Sequence, residues 1–144
     1  MAVPTIYLRM VDYYDQNGLE SRKEEILAKL SKVRAMISGS SPLSEKIHER
    51  WEEITGHTLL ERYGMTEVGM ALTNPYDDVH KRLPGFVGHP FKNVTAGLRN
   101  METGEIHDRM DEEAELVLQS SCMFDRYLDN PEATEATFDT VDGQ

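Results

Sequence analysis

Seven consecutive residues, Glu61-Arg62-Tyr63-Gly64-Met65-Thr66-Glu67, hold the most concentrated chemistry in the chain. The apolar lead-in Thr58-Leu59-Leu60 and the following Val68-Gly69-Met70-Ala71 predict a short buried strand ending in a glycine turn. Gly64 lets the backbone turn sharply or come close to a ligand. The hydroxyl of Thr66 can bond a phosphate oxygen. The carboxylate of Glu67 is a hard oxygen donor of the kind that holds Mg²⁺ together with substrate phosphates. Tyr63, at a strand end, offers a ring on which a flat base can stack. The same seven residues also describe a strand capped by a polar turn with Glu67 solvated, and by themselves they do not choose between the two.

The flanking elements must set these groups in place. Val33–Ser38 reads as a buried strand, Gly39-Ser40-Ser41-Pro42 as a loop of small residues, and Glu45–Thr55 as a helix capped by Ser44 and closed by Gly56. The next strand is expected at Thr58–Arg62. A strand–helix–strand order predicts two adjacent parallel strands in an open sheet, where ligands gather at the C-terminal strand ends. Ser40, Ser41, Tyr63, Thr66 and Glu67 would then surround one crevice. The loop after Ser38 can equally be an ordinary strand-to-helix connection. Ile47, Trp51 and Ile54 read as core. His48 and His57 have no second ligand at a metal-binding spacing.

Upstream, Pro4 suits the first turn of a helix whose Val3, Ile6, Tyr7, Met10, Val11 and Tyr14 fall at helical spacing before Asn17-Gly18. Arg9 lies off that stripe. Glu20 to Lys32 predicts a second helix with Ile26, Leu27 and Leu30 inward. Downstream, periodicity fades from Thr73 to Lys92, with turns at Asn74-Pro75, Pro84-Gly85 and Gly88; Arg82 reads as a surface or a pocket residue. Short strands follow at Val94–Arg99, Glu105–His107 and Glu115–Gln119, with a turn at Thr103-Gly104. A short helix is expected over Pro131–Phe138, capped by Asn130, and Asp142-Gly143-Gln144 resembles the first half of a hairpin. This shift in pattern predicts an α/β portion over residues 1–90 and a β-rich, barrel-like portion over 91–144.

With 144 residues the chain is long enough for a packed core. Its 26 acidic and 15 basic residues give a formal charge of −11, which disfavours non-specific binding to nucleic acid or to an anionic membrane. No apolar run is long enough to span a bilayer. The single cysteine, Cys122, excludes an intrachain disulfide and fits a reducing compartment. Neither a signal-peptide pattern nor an Arg-rich leader is visible after Met1. Oligomeric state is not legible.

Tyr63-Gly64-Met65-Thr66-Glu67 resembles the central signature of the adenylate-forming superfamily, the acyl-CoA synthetases and their relatives. Three more stretches match that family in order: Ser38-Gly39-Ser40-Ser41-Pro42-Leu43, Pro84-Gly85-Phe86-Val87-Gly88-His89-Pro90, and Glu115-Leu116 with Phe124-Asp125-Arg126-Tyr127-Leu128-Asp129-Asn130-Pro131-Glu132-Ala133-Thr134. Ile54–Tyr63, with Met70-Ala71-Leu72, resembles the mitochondrial malonyl-CoA synthetase branch. The resemblance implies a segment of the large N-terminal domain, an open and mainly parallel sheet with helices followed by a small β-barrel-like subdomain. It implies ATP, Mg²⁺ and CoA, a carboxylic acid such as malonate or methylmalonate as substrate, and a mitochondrial address, otherwise a cytoplasmic one. Gly39, Ser40, Ser41, Tyr63, Gly64 and Thr66 would line the nucleotide, with Thr66 on the α-phosphate and Glu67 on the metal. Ser38 would lie near the acyl group. Arg9, two places after Tyr7 in the family's Val-Pro-Thr-x-Tyr helix, can pair the free carboxylate of malonate; outside that family the same residue reads as a solvated helix face. Arg62 competes for the role, or else braces the signature.

The resemblance also implies parts that are not here. The family's phosphate loop would lie before Met1, its ribose-binding Thr-Gly-Asp beyond Gln144, and its lid with the catalytic lysine further on. These 144 residues are therefore expected to hold half a nucleotide site and not to turn over alone. Ala114 stands where the family has Gly before Glu-Leu, and Arg126 where it has Gly before Tyr. Another acyl-CoA synthetase branch, or a non-catalytic protein that keeps the fold, is the alternative.

Overall fold

A computed structural model describes residues 1–108 and 113–138. Helix α1 (Pro4–Gln16) starts with proline at its first turn, where a missing N–H costs nothing. Tyr7, Val11 and Tyr14 are its buried residues and pack with Leu43, Trp51, Ile54 and Leu59. The Tyr7 ring meets Trp51 edge-on at 4.9 Å, and the Tyr7 hydroxyl donates to the Ile37 carbonyl at 2.9 Å. The predicted stripe is wider than the buried one. Val3, Ile6 and Met10 are exposed, because they occupy the adjoining face of the helix, which covers nothing among the described residues. The second helix is broken into a 3₁₀ turn, Leu19–Arg22, and α2 (Lys23–Leu30), with Gly18 left-handed before it. Ile26, Leu27 and Leu30 are half-buried.

Strand β1 is only Ile37–Ser38, shorter than the predicted Val33–Ser38. Its partner β2 (Leu60–Met65) begins opposite Ile37, so Val33 to Ala35 have no neighbouring strand to bond. The parallel pairing of Ile37 with Leu60 and Ser38 with Glu61 is the expected one, and α3 (Glu45–Thr55) joins the two strands over its predicted span. Gly56 closes α3 in the left-handed conformation, but the Ser44 side chain makes no cap bond; only its extended backbone marks the position.

The signature departs from its expected local form. β2 runs through Tyr63, Gly64 and Met65 instead of ending at Arg62. The turn is Thr66-Glu67-Val68, and β3 (Gly69–Thr73) returns antiparallel beside β2. Gly64 is therefore a strand residue at a bulge after Tyr63. A Cβ on Gly64 would collide with the Gly69 carbonyl, so the glycine admits the neighbouring strand rather than making a turn. β4 (His89–Pro90) completes a four-stranded sheet ordered β1-β2-β3-β4, parallel at its first pair and antiparallel at the others.

The loop between β3 and β4 is held by polar bonds. Arg82, left open by the sequence, is buried and donates to the carbonyls of Thr58, Pro75 and Tyr76 at 2.8 to 2.9 Å. A second sheet follows, ordered β6-β5-β7 and all antiparallel, from β5 (Val94–Arg99), β6 (Ile106–His107) and β7 (Glu115–Ser120). Its Val94, Ala96, Leu116 and Leu118 pack on Val68, Ala71 and Leu72 of the hairpin. Helix α4 (Pro131–Thr137) has Asn130 as its cap, accepting from the Ala133 amide. The hairpin expected at residues 142–144 lies outside the described residues, as do residues 109–112 of the weakly patterned Arg99–Glu113 stretch.

Gly88 and Gly69 separate conformational strain from collision. Both are left-handed, at φ 85° and 72°, but a Cβ on Gly88 would strike the Thr73 carbonyl and the Asn74 amide, whereas Gly69 faces open space. Gly69→Ala should cost about 1–2 kcal/mol of unfolding free energy, the left-handed penalty alone. Gly88→Ala should cost at least ~3 kcal/mol, because backbone has to move. Urea unfolding of the two variants measures the difference, and equal costs would show that the loop yields freely.

Candidate functional site

The parallel pair ends in the small-residue loop. Ser38 is 1% exposed, and its Oγ has no partner among the described residues. Such atoms are rare in folded proteins. Gly39 is buried so closely that a Cβ would lie 3.3 Å from the Arg62 carbonyl. Ser40 has φ 72°, a left-handed conformation that costs an L-residue about 1–2 kcal/mol. Ser40 and Ser41 are exposed, and buried Leu43 anchors the loop's far end. Across from it, Arg62 is half-buried, its Nε has no partner among the described residues, and its guanidinium lies 5.9 Å from the Phe91 ring centre. Ser38, Gly39 and Arg62 are thus brought together at the C-terminal end of β1.

The carboxylate end of the signature is separate. Three residues, Tyr63, Gly64 and Met65, separate Arg62 from Thr66, so the two ends stand about 13 Å apart along the strand. Tyr63 lies between them, half-buried against the Val68 cluster. No hydrogen bond or ion pair joins Thr66 or Glu67 to Ser40 or Ser41 among the described residues. Thr66 is exposed. Glu67 is half-buried and doubly held: its Oε1 accepts from the Tyr127 hydroxyl at 2.9 Å, and its carbonyl accepts from the Phe124 amide at 2.8 Å. That bond raises the Tyr127 phenol above its ordinary pKa, with burial adding to it. A cavity of about 530 Å³ opens beside Glu67 toward Leu116, Leu118, Met123 and Phe124, and of the predicted site residues only Glu67 lines it. It lies over the second sheet with a mixed lining that includes Arg99, Glu115 and Gln119, and neither Ser38 nor Arg62 borders it. Arg9 is exposed on α1 and makes no bond to the Ser38–Arg62 group. Among the described residues no three His, Cys, Asp or Glu side chains could hold a metal together. Glu67 with one engaged oxygen fits an ion bound by one carboxylate plus substrate phosphates, and does not fit an all-protein cage.

One residue escaped the sequence reading. Glu61 is 5% exposed, its carboxylate accepts from the Gly85 amide at 3.3 Å, and its carbonyl accepts from the Asn74 amide at 3.0 Å. Asn74 in turn donates to the Phe86 carbonyl at 2.6 Å. The Pro84–Gly88 segment is thereby strapped onto the signature strand. Burial pushes the Glu61 carboxyl above its ordinary pKa, while the Gly85 amide, His48 and the Leu43 amide pull it back. His48 is fully buried, and its Nε2 lies 3.1 Å from the Leu59 carbonyl, which requires the proton on Nε2. The available signal was a carboxylate directly after the apolar pair Leu59-Leu60, on a strand with neighbours on both edges.

The AMP-binding enzyme family matches residues 1–128. The mitochondrial malonate–CoA ligase of Bos taurus is 40% identical over 163 aligned positions, which cover 99% of this chain and 27% of that protein. ATP-bound MatB from Rhodopseudomonas palustris superposes with a TM-score of 0.81 at 35% identity, over 96% of this chain and 25% of its own. A malonyl-CoA ligase complex with methylmalonyl-CoA and AMP superposes with a TM-score of 0.74 at 32% identity, over 95% of this chain and 27% of its own. The chain spans about a quarter of the length of these relatives.

The raised Glu61 pKa has a definite sign in stability. The folded state holds this proton more tightly than the unfolded chain, so the contribution is fullest below the ordinary carboxylate value and is lost as pH rises through the folded one. The stability of the wild type minus that of Glu61→Gln should therefore fall between pH 4 and pH 7. Urea unfolding at several pH values tests this; a difference that grows with pH would mean that the Gly85 bond outweighs burial.

Proposed function

Because the chain belongs to the AMP-binding enzyme family, we propose that it forms part of a longer acid–thiol ligase, mitochondrial like its bovine relative, that joins malonate or methylmalonate to CoA. A carboxylate oxygen of the acid attacks the α-phosphorus of ATP, the bond to pyrophosphate breaks, and an acyl-adenylate forms. The CoA sulfur then attacks the acyl carbon, AMP leaves with the bonding pair, and the thiol proton passes to solvent. Chemistry of this kind depends on positioning and charge neutralisation. A divalent cation bound with ATP would offset phosphate charge as pyrophosphate departs.

In this reading Gly39, Ser40 and Ser41 present backbone to the nucleotide, Tyr63 offers the free side of its ring to adenine, and Gly64 keeps the strand beside it close-packed. The Thr66 hydroxyl bonds an α-phosphate oxygen, and Glu67 holds the metal. Ser38, Arg62 and Arg9 face the acid. The observation that carries the proposal is the pair of buried polar atoms, Ser38 Oγ and Arg62 Nε, that have no partner among the described residues and lie at the C-terminal end of a parallel strand pair, where α/β sheets bind ligands. We also propose a division near residue 90, supported by the break in strand pairing between β4 and β5.

Two experiments on the full-length ligase test this reading. Malonate keeps a second carboxylate after adenylation, and removing a buried charge's only partner costs about 3–5 kcal/mol. Arg9→Leu should depress kcat/KM for malonate far more than for butyrate, while Arg62→Leu should lower both about equally. An unchanged malonate-to-butyrate ratio in Arg9→Leu would leave Arg9 a solvated helix residue, and a ratio shifted by Arg62→Leu instead would move the selectivity there. Glu67→Gln should slow ATP–pyrophosphate exchange roughly 30- to 1000-fold, the equivalent of about 2–4 kcal/mol, with partial recovery at high Mg²⁺. Unaltered exchange would leave Glu67 a structural turn residue tied to Tyr127.

A further inference from the structure

Glu67 is held from across the fold by its side chain and its backbone. Its two partners come from a single short segment 60 residues away in sequence: the Tyr127 hydroxyl on the carboxylate and the Phe124 amide on the carbonyl. That segment has its own scaffold. The Tyr127 amide donates to Thr134 Oγ1 at 3.0 Å, and the Asn130 amide donates back to the Tyr127 carbonyl. Asn130 caps α4, and the Phe124 ring lies between those of Tyr127 and Phe138, at 4.7 and 5.2 Å. The phenol is therefore aimed by packing and by backbone bonds that do not involve Glu67. A glutamate at a hairpin tip would otherwise turn freely about three side-chain torsions, beside an exposed Thr66. Here Oε1 is engaged, and Oε2 has no partner among the described residues.

We propose that Tyr127 is the positioning residue of the metal site: its hydroxyl fixes the Glu67 carboxylate in one rotamer and leaves Oε2 to the divalent cation that arrives with ATP. The inference rests on the metal role proposed for Glu67. It gives the Phe124–Tyr127 segment, on the β-rich side of the chain, a task at the hairpin of the first sheet. Groups that orient a metal ligand from behind are worth about 10- to 100-fold in metal affinity, and a single neutral donor belongs at the lower end of that range.

The experiment uses the full-length ligase with a non-hydrolysable ATP analogue and Mn²⁺ in place of Mg²⁺, free Mn²⁺ being read by electron paramagnetic resonance. Tyr127→Phe keeps the ring and its contact with Phe124. It should weaken Mn²⁺ binding about tenfold, leave metal-free binding of the analogue unchanged, and lower kcat with the KM for the acid unaltered. Glu67→Gln should weaken Mn²⁺ at least as much, and adding Tyr127→Phe to it should have no further effect. Thr134→Val, which removes the acceptor of the Tyr127 amide together with the bond from Thr134 Oγ1 to the Asn130 carbonyl, should give a smaller loss in the same direction and serves if Tyr127→Phe fails to fold. Normal Mn²⁺ binding in Glu67→Gln would refute the metal role itself. A loss in Glu67→Gln with unchanged or tighter binding in Tyr127→Phe, or additive losses in the double variant, would overturn the positioning role alone.

Discussion

Strand β2 is bonded on both edges, to β1 in parallel and to β3 in antiparallel fashion, and the rest of the structure follows from that. β1 pairs with Leu60 and Glu61 and β3 with Arg62–Met65, so the buried polar groups along β2 must be satisfied within the fold or by a ligand. Glu61 is satisfied from the Pro84–Gly88 segment, and its neighbour Asn74 from the same segment. The Thr58 carbonyl just upstream is satisfied by Arg82. Ser38 Oγ and Arg62 Nε are places along this pair that meet no partner among the described residues. The solved polar groups lie toward the start of β2 and the unsolved ones where β1 stops.

How much of this was legible depends on how local the signal was. Helix α3 was read to its ends because Ile47, Trp51 and Ile54 share a face and Gly56 stops it in the left-handed conformation. The parallel pairing of β1 and β2 followed from strand–helix–strand order. β3 was not legible. Its apolar residues continue directly from the signature, and nothing in Thr66-Glu67-Val68 looks like a turn apart from the glycine that follows. Glu61 was passed over because its acceptor work is done for Gly85, 24 residues away, and no sequence window spans that bond. Tyr127 was quoted only as part of a family stretch; its bond to Glu67 spans 60 residues.

The site is divided between two supports of different kinds. The Ser38–Arg62 end is built from backbone proximity: Gly39 lies against the Arg62 carbonyl, and Ser40 is held left-handed. The Thr66–Glu67 end is a hairpin tip, which would be mobile were it not tied to Phe124 and Tyr127. Val68, Ala71 and Leu72 share one apolar cluster with Val94, Leu116 and Leu118, so the second sheet also braces the hairpin from below. A β-rich portion attached to an α/β sheet then has a mechanical reason to exist: it stiffens the tip that carries the carboxylate.

Electrostatics make the acyl end the more demanding of the two. Under the proposed function a net charge of −11 would not draw in a nucleotide and a dicarboxylate through its overall field, so their attraction would be local. Several cations are already committed. Arg82 is spent on three carbonyls, Arg50 on Asp15 and Glu53, and Arg22 and Lys29 on Glu25. Arg62 is different, because it is half-buried over Phe91 with a buried Nε that meets no acceptor among the described residues. A partly desolvated guanidinium in that position is costly until an anion reaches it. An anionic group arriving beside Ser38 would relieve that cost and satisfy the serine hydroxyl in the same step, whereas exposed Arg9 keeps its hydration until a ligand takes it away. Under the proposed function Arg62 would therefore suit a carboxylate common to every acid, and Arg9 would serve the second carboxylate of malonate once the rest of the ligase buries it.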